Sequence, residues 1–324
     1  MERHILKKKI AIFVNNNNKI GLGHIYRCIS FADTFKKKIK IFFFINKKSS
    51  ILNYPSYSFS EKQKNLIKIN KLLKKNNCKN ILFDIDNKLN TKIKLSNIYN
   101  FFIKRNYQTI CWDNLENPNT KFSYIYRPYP KTAFNNSKIH NQKKIIGTEF
   151  FFKKIKKKFV YKKKIHAIAV QLGGTKNLKI IKILINYFEK HKNIKIYFFV
   201  KNATEINLLN SCKNKNFKIY KNSNFTNFAD CIDFLISSGG MTKYESSIVN
   251  LPNLAICLDQ FQYNLNKNLN IKYGFIACKK KDIIKKLNFI FEDKKIRLLL
   301  HKNAKKNFKN YNNESIKKIY SILK

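Results

Sequence analysis

Short apolar runs alternate along this chain with longer segments whose apolar residues recur at helical spacing, which is the pattern of βαβ units in a parallel sheet. In the first half, the predicted strands are 9–14, 40–45, 80–85 and 109–112. The predicted helices are 24–35 and 61–75. In the first of these helices, one face carries Ile25, Cys28, Ile29 and Ala32. These elements predict an α/β domain.

The same rhythm restarts after a lysine-rich segment at 153–164, which we interpret as a linker. Here the predicted strands are 166–172, 194–200, 234–237 and 253–258. The predicted helices are 178–191 and 242–249, and two or three basic helices follow from Asp282 onward. We therefore expect two Rossmann-like domains, 1–158 and 159–324, with the last helix packing back on the first. Ligands in such folds lie at the carboxyl ends of strands, which predicts a central cleft that both domains face.

Composition favours a globular chain without membrane spans. The chain has 324 residues, of which 44% are hydrophobic. Its apolar runs, such as 41–45, are far shorter than the ~20 residues of a transmembrane helix, and Met1 to Lys9 lack the apolar stretch of a signal peptide. Seven scattered cysteines without a C-x-x-C pair argue against a disulfide framework or a zinc site. We expect a cytoplasmic protein, and the sequence leaves its oligomeric state open.

The net charge of +49 would suit a nucleic-acid partner, but the distribution of the charge does not favour one. Lysine is spread along the whole chain together with abundant Asn, Ile, Phe and Tyr, a mixture that is typical of A/T-rich codon usage. Arginine is scarce, although its guanidinium binds phosphate and guanine with paired hydrogen bonds better than the ammonium of lysine does. We therefore predict no specific nucleic-acid partner. A positive field equally favours acidic small molecules as substrates.

The first candidate motif, residues 20–27, lies between the first predicted strand and helix. Gly21 and Gly23 let the backbone approach a ligand closely, and His24 opens the helix. A helix N-terminus disfavours the imidazolium, so we expect a neutral His24 that can act as a general base or orient a water. The alternative is that His24 caps the helix or packs against it.

Arg27 lies one helical turn after His24 and can share its face. It would either bind a phosphate or carboxylate of the ligand or pair with a carboxylate at a strand end, such as Asp84. If His24 has only a structural role, the catalytic base would have to be sought among Asp84, Asp86 and Asp113.

Two polar segments follow predicted strands of the second half. A glycine turn that can cradle a diphosphate contains Gly173, Gly174 and Thr175. In the segment 259–264, the side-chain amides of Gln262 and Asn264 can bind a sugar or phosphate. The alternative interpretation is an ordinary polar loop.

The segment 239–245 again joins a predicted strand to a helix. In the functional interpretation, phosphate is approached by the backbone of Gly239, Gly240, Met241 and Thr242. Glu245 would then accept hydrogen bonds from ribose hydroxyls. In the competing interpretation, Thr242 is the N-cap of the helix and Glu245 completes a capping box.

These four segments, in this order and spacing, resemble the UDP-sugar hydrolases of the pseudaminic-acid pathway and their relatives, the spore-coat-polysaccharide glycosyltransferases. More distantly, they resemble the glycosyltransferase of peptidoglycan lipid II synthesis. The resemblance covers roughly residues 8–280, and its most specific parts are 21–27 and 239–245. It implies the GT-B architecture of two Rossmann-like domains.

The resemblance also implies roles for individual residues. His24 matches the catalytic histidine, and Glu245 matches the glutamate that holds the ribose. Gly173 and Gly174 match the phosphate loop of the second domain. Gln262 and Asn264 match polar residues that bind the sugar or phosphate in that family.

The chain also departs from this family's pattern. The hydrolases usually carry an Arg and an Asp before the first glycine loop, where this chain has Phe13 and Asn15, and their acidic pair is reduced here to Asp113 and Asn114. We keep Asn15 among the candidate substrate-binding residues. The departures weaken the hydrolase assignment more than they weaken nucleotide-sugar binding.

The leading hypothesis is a hydrolase that cleaves a UDP-linked acetamido-deoxy sugar in surface-glycan or nonulosonic-acid biosynthesis. The first alternative is a glycosyltransferase with the same donor site, because water and a sugar hydroxyl use the same base. The second alternative is a nucleotide-sugar-binding protein without activity. None of the three requires a metal or another cofactor.

Overall fold

The computed structural model describes residues 7–15, 23–47, 51–85, 95–113, 120–130, 143–155, 159–173, 177–212, 214–309 and 311–324. The chain forms two compact units. The first consists of Met1–Lys153 and Asn310–Lys324, and the second consists of Lys154–Lys309. The change from one unit to the other falls inside the lysine-rich segment 153–164.

The first unit is built on a parallel sheet of seven described strands. They are β1 (Lys8–Val14), β2 (Ile39–Ile45), β3 (Ser56–Ser58), β4 (Asn80–Asp84), β5 (Gln108–Trp112), β6 (Tyr124–Arg127) and β7 (Lys143–Ile146). The helices are α1 (Gly23–Phe35), α2 (Gln63–Lys75), α3 (Leu95–Ile103) and, from the end of the chain, α10 (Asn313–Ile322). The strand order is β3-β2-β1-β4-β5-β6-β7, which is the doubly wound Rossmann order with an added edge strand.

Continuous apolar strands explain why this sheet is covered on both faces. On one face, rings pack around Phe13, which is fully buried and stacks on Phe44 with 4.7 Å between ring centroids. Phe83 and Phe102 also contact Phe13. The position where the resembling hydrolases carry an arginine is therefore part of the hydrophobic core in this chain.

The second unit repeats the order with six strands. They are β8 (Ala167–Gln171), β9 (Lys195–Val200), β10 (Phe217–Lys221), β11 (Phe234–Ser238), β12 (Asn253–Cys257) and β13 (Phe275–Lys279). Its helices are α4 (Leu178–Phe188), α5 (Ala203–Asn210), α6 (Thr242–Ile248), α7 (Gln260–Lys267), α8 (Ile283–Glu292) and α9 (Lys294–Asn307). The sheet order is β10-β9-β8-β11-β12-β13, again parallel throughout.

Helix α10 belongs to the first unit although it follows the second in sequence. Asn80, the first residue of β4, donates from Nδ2 to the carbonyl of Lys324 at 2.9 Å and accepts from its N–H at 2.8 Å. Lys8 donates to the carbonyls of Tyr320 and Leu323, at 3.1 and 2.5 Å. Side chains at the beginnings of β1 and β4 therefore hold the end of this helix.

The predicted α/β class is confirmed, and so are the principal predicted strands and helices. The structure adds eight elements that the sequence pattern did not predict, and these are β3, α3, β6, β7, α5, β10, α7 and β13. The segment 259–264 is not a polar loop, since α7 begins at Gln260. None of the helices in the described ranges is long and apolar enough to cross a membrane.

Candidate active site

The first candidate site lies where the strand order of the first sheet reverses, between β1 and β4. At this point two crossovers leave the sheet in opposite directions, so the carboxyl ends of the two strands are open to a ligand. His24 is the second residue of α1, which follows β1, and Asp84 is the last residue of β4. Asn15 directly follows β1 at the same edge and is half-buried.

Asp84 is buried and accepts hydrogen bonds on both carboxylate oxygens. His24 Nδ1 lies 2.6 Å from Oδ1, and Arg27 donates from Nε to Oδ2 at 2.7 Å and from Nη2 to Oδ1. Cys28 Sγ lies 3.3 Å from Oδ2. Burial alone would raise the pKa of Asp84, but the charge of Arg27 and the hydrogen bonds from Arg27 and His24 hold it well below its ordinary value. Asp84 is therefore an ionised acceptor.

This partner fixes the tautomer of His24. An ionised carboxylate only accepts hydrogen bonds, so the proton of a neutral imidazole lies on Nδ1 and the lone pair lies on Nε2. The contact of 3.2 Å between His24 Nδ1 and Arg27 Nη2 arises because both atoms bind Asp84 Oδ1. The histidine side chain is 21% exposed. Such a ring can accept a proton at Nε2 while Asp84 stabilises the imidazolium that forms.

Arg27 is directed at groups of the protein. Besides Asp84, its Nη1 contacts Asp113 Oδ2 at 3.1 Å and Tyr129 Oη at 2.7 Å, and its guanidinium lies 4.7 Å from the ring centroid of Trp112. Burial would lower the pKa of Arg27, but the charges of Asp84, Tyr129 and Asp113 raise it well above its ordinary value. Of the two interpretations of Arg27, the structure shows the ion pair with Asp84.

Asp113 follows β5, the next strand of the sheet, and completes the cluster. Its backbone adopts the left-handed conformation, with φ of 69°, which is uncommon outside glycine. Arg127 Nε donates to its carbonyl oxygen at 2.8 Å, and Tyr129 Oη donates to Oδ2 at 3.1 Å. Burial raises the pKa of Asp113; Arg27 opposes the rise and Asp84 adds to it. The two carboxyls thus differ in their readiness to hold a proton.

The second candidate site occupies the equivalent point of the other sheet, between β8 and β11. Gly173 follows β8 with φ of +89°, a conformation that favours glycine. A Cβ added there would lie 3.4 Å from Ser238 Oγ, and one added at Gly240 would lie 3.5 Å from the same atom. At Gly239 a Cβ would meet Cys257 Sγ at 3.0 Å. The two glycine turns therefore lie side by side.

The capping-box interpretation of Thr242 and Glu245 is wrong. Helix α6 begins at Thr242, and the cap position belongs to Met241, which already has helical φ and ψ and makes no side-chain cap hydrogen bond. Glu245 consequently lies one position too far along the helix for a capping box. It is buried, with 9% of its surface exposed.

Gln262 and Asn264 lie on α7, and their amides are engaged within the second unit. Asp259 caps the helix by accepting from the N–H of Gln262 at 2.7 Å. Gln262 Oε1 accepts from the N–H of Leu258 at 3.0 Å, and Asn264 Oδ1 accepts from Gln260 Nε2 at 2.9 Å. These bonds give both amides a structural role in the helix.

A carboxylate already lies at the beginning of α4, after the first glycine turn. Glu205 Oε1 accepts from the N–H of Asn177 at 2.7 Å, and Glu205 is only 4% exposed. A negative charge in this place disfavours a diphosphate close by. The turn at Gly239 and Gly240 is therefore the stronger candidate for the phosphates.

Five candidates lie outside the described residues, namely Gly21, Asp86, Asn114, Gly174 and Thr175. Within the described ranges, no group of three or more His, Cys, Asp or Glu side chains could hold a metal ion. Sequence reasoning passed over Trp112 and Tyr129, which contact Arg27 in the first site. Both had a detectable signal, because Trp112 ends β5 directly before Asp113 and Tyr129 closely follows β6, the next strand of the sheet.

Two parallel sheets in these strand orders match the GT-B architecture of two Rossmann-like domains, and comparison with solved structures agrees. MurG of Acinetobacter baumannii matches with a TM-score of 0.68 at 9% identity, covering 98% of this chain and 99% of that chain. A complex of S. aureus MnaA with UDP gives 0.65 at 9% identity, covering 96% and 94%. A glycosyltransferase from Rickettsia africae ESF-5 gives 0.62 at 13% identity, covering 98% of both. No family model matches this chain, and no curated protein matches it in sequence.

Proposed function

We propose that this chain is an enzyme that breaks the glycosidic C–O bond of a UDP-linked sugar, with His24 as the general base. The observation that carries the proposal is the pairing of His24 with the buried, ionised Asp84 at the point where the strand order reverses. This arrangement leaves Nε2 as the proton-accepting atom of an imidazole whose other nitrogen is held in place.

In the proposed reaction, a water or hydroxyl oxygen attacks the anomeric carbon and gives its proton to His24 Nε2. The bond between the anomeric carbon and the β-phosphate oxygen breaks, and UDP leaves with the electron pair. Asp84 stabilises the imidazolium during this step, much as a carboxylate supports histidine in other base-catalysed reactions. The partly exposed ring then returns the proton to solvent.

We assign the nucleotide to the second unit. The backbone at Gly239, Gly240, Met241 and Thr242 would bind the diphosphate, and Glu245 would accept from the ribose hydroxyls. The neighbour solved with UDP supports the choice of nucleotide. We place Gly173 at the edge of this site, since Ser238 separates it from Gly240.

Hydrolysis, with water as the acceptor, is the reaction that the sequence resemblance favours. Transfer to a sugar or aglycone hydroxyl is the second candidate, and the names of two neighbours favour it, because the Rickettsia africae glycosyltransferase and a spinosyn rhamnosyltransferase share the fold. Both reactions use the same base and the same leaving group. Surface-glycan biosynthesis in the cytoplasm remains the proposed setting.

The test is release of UDP from a panel of UDP-linked sugars by the purified chain, with and without candidate acceptor alcohols. Release without any acceptor supports hydrolysis, and release that depends on an acceptor supports transfer. UDP binding without turnover of any UDP-sugar would indicate a nucleotide-sugar-binding protein without activity. A chain that binds neither UDP nor a UDP-sugar would contradict the proposal.

A further inference from the structure

The second unit contains a buried lysine to which the function proposed above assigns no role. Lys243 lies in the first turn of α6, and only 4% of it is exposed. Its Nζ donates to the carbonyl oxygens of Gly239 and Gly240, at 2.8 Å each. Lysine is almost never buried to this extent unless its charge is satisfied, because the ammonium loses its hydration. The partners of this ammonium include the glycine turn itself.

The local geometry explains this contact. Side chains on a helix lean toward its beginning, so Lys243 reaches the carbonyls three and four residues before it. Asn266 Nδ2, from α7, also donates to the carbonyl of Gly239, at 3.0 Å. Ser246 Oγ holds the carbonyl of Lys243 itself at 2.7 Å. The turn is therefore held by side chains from two helices.

A fixed carbonyl also fixes the amide that follows it. The peptide group is planar, and in its trans form the N–H points opposite to the C=O. The described part of the chain contains no cis peptide bonds. Since the carbonyls of Gly239 and Gly240 point toward Lys243, the N–H groups of Gly240 and Met241 point away from it. Successive N–H groups turned in this way can bind the oxygens of an anion.

We infer that Lys243 is a positioning residue, which holds the turn so that the amides of Gly240 and Met241 receive the diphosphate of the nucleotide. This inference rests on the proposed function. Lys243 acts through the backbone rather than on the ligand, because its ammonium is buried and bonded to two carbonyls. The lysine would thus convert one side-chain charge into the orientation of two backbone donors.

The experiment compares ligands that differ in their phosphates, with UDP titrated by calorimetry and uridine by ligand-observed NMR. For Lys243→Met, we expect the Kd of UDP to rise about 10- to 100-fold, the range of charge-assisted hydrogen bonds, while the Kd of uridine changes less than about threefold. Lys182→Met, at an exposed lysine of α4, removes the same charge and should change neither. Equal losses for both ligands would overturn the inference, and so would an unchanged Kd for UDP.

A second variant keeps the test decisive if Lys243→Met does not fold. Met241 has φ of −69°, which suits proline, so Met241→Pro removes one N–H with little change of the backbone. We expect the same selective loss of UDP affinity with Lys243 in place, and an unchanged Kd would overturn the inference. A wild-type chain that does not bind UDP overturns the proposed function and this inference together. Wild-type binding with unaffected variants overturns this inference alone.

Discussion

The two units each bury a cation beside a candidate site, but they surround it differently. Arg27 in the first unit faces the carboxylates of Asp84 and Asp113, whereas Lys243 in the second unit faces two backbone carbonyls. A planar guanidinium matches a carboxylate with two parallel hydrogen bonds, and a compact ammonium suits carbonyl dipoles. The first arrangement fixes side chains that come from separate strands. The second fixes a short stretch of backbone within one turn.

This difference predicts where each unit is sensitive. A network of buried charges joins distant parts of the chain, so its loss should affect folding and respond to pH. A lysine that bonds residues three and four positions before it acts locally, so its loss should affect a ligand more than the fold. Variants in the two networks can separate these outcomes.

The largest effect is expected for Asp84→Asn. Removing one partner of a buried ion pair leaves Arg27 with Asp113 as its remaining carboxylate contact, so we expect the free energy of unfolding to fall by about 3–5 kcal/mol at pH 7. Chemical denaturation measures the loss. The matched control is Asp33→Asn, since Asp33 is 52% exposed and forms surface contacts with Lys36 and Tyr54. The asparagine oxygen can still accept from Tyr54, so we expect a change within about 0.5 kcal/mol there. Equal losses in both variants would contradict the buried network.

The same variant gives a pH dependence. Because the pKa of Asp84 is lower in the folded chain than in the unfolded chain, its contribution to stability is fully present above the unfolded pKa. It is lost as the pH falls from about 4 toward the folded value. The difference between wild type and Asp84→Asn should therefore shrink in acid, provided that both remain folded at the start of the titration. A difference that is constant from pH 7 to pH 3 would argue against an ionised Asp84.

The next effect concerns turnover. His24→Asn should lower kcat on a substrate found in the UDP-release assay by about 100-fold or more, the usual scale for a lost general base. We expect UDP affinity to be retained, because the nucleotide is assigned to the second unit. His166→Asn, at an exposed histidine before β8, is the control. Near-wild-type turnover by His24→Asn would return the search for the base to Asp84 and Asp113.

A smaller effect is expected in the second unit. Glu245→Ala should weaken UDP binding by about 1–3 kcal/mol if its carboxylate accepts the ribose hydroxyls. Glu189→Ala, at an exposed carboxylate that follows α4, should leave the affinity unchanged. Calorimetric titration with UDP measures both. An unchanged Kd in a folded Glu245→Ala variant would reduce this residue to a buried part of α6.

The smallest effect is expected for Tyr129→Phe, which removes one hydroxyl from the first network. That hydroxyl contacts Arg27 at 2.7 Å, Trp112 at 3.2 Å and Asp113 at 3.1 Å. Asp84 still holds Arg27 in this variant, so we expect a loss of about 1–2 kcal/mol in the free energy of unfolding. Tyr57→Phe, at a tyrosine that is 38% exposed, is the control. A loss as large as that of Asp84→Asn would mean that the hydroxyl, rather than the carboxylate, dominates the network.

The strands that the sequence predicted are largely buried, and one buried strand, β13, was not predicted. β1, β2 and β4 are continuous apolar runs, which only a covered parallel sheet explains. β6 and β7 have four residues each and include Arg127 or lysines, so their pattern does not differ from that of a loop. β3 is three residues long and exposed throughout. Pairing with a neighbour, rather than the apolar pattern, makes these segments strands.

The candidate sites divide in the same way. Glycine turns and strand-end carboxylates are visible in the sequence because residue type alone indicates their position. The convergence of Arg27, Asp84 and Asp113 depends on the strand order, which a single sequence does not give. Lys243 was not predicted for another reason: among 67 lysines and arginines, residue type alone does not distinguish a buried side chain from an exposed one. The available signal was its spacing, since Lys243 follows Gly240 by three residues and Gly239 by four, which allows its side chain to reach their carbonyls.

The position of α10 in the first unit has a consequence for synthesis on the ribosome. Asn80 and Lys8 emerge early, but their partners at Tyr320, Leu323 and Lys324 are translated only after the whole of Lys154–Lys309. At ~5–20 residues per second, this delay is on the order of 10 s. During that interval the first sheet must persist without its last helix, and the apolar surface that Ile319 and Leu323 later cover is open to chaperones. The nascent first unit therefore exposes apolar surface until the last residues of the chain have been made.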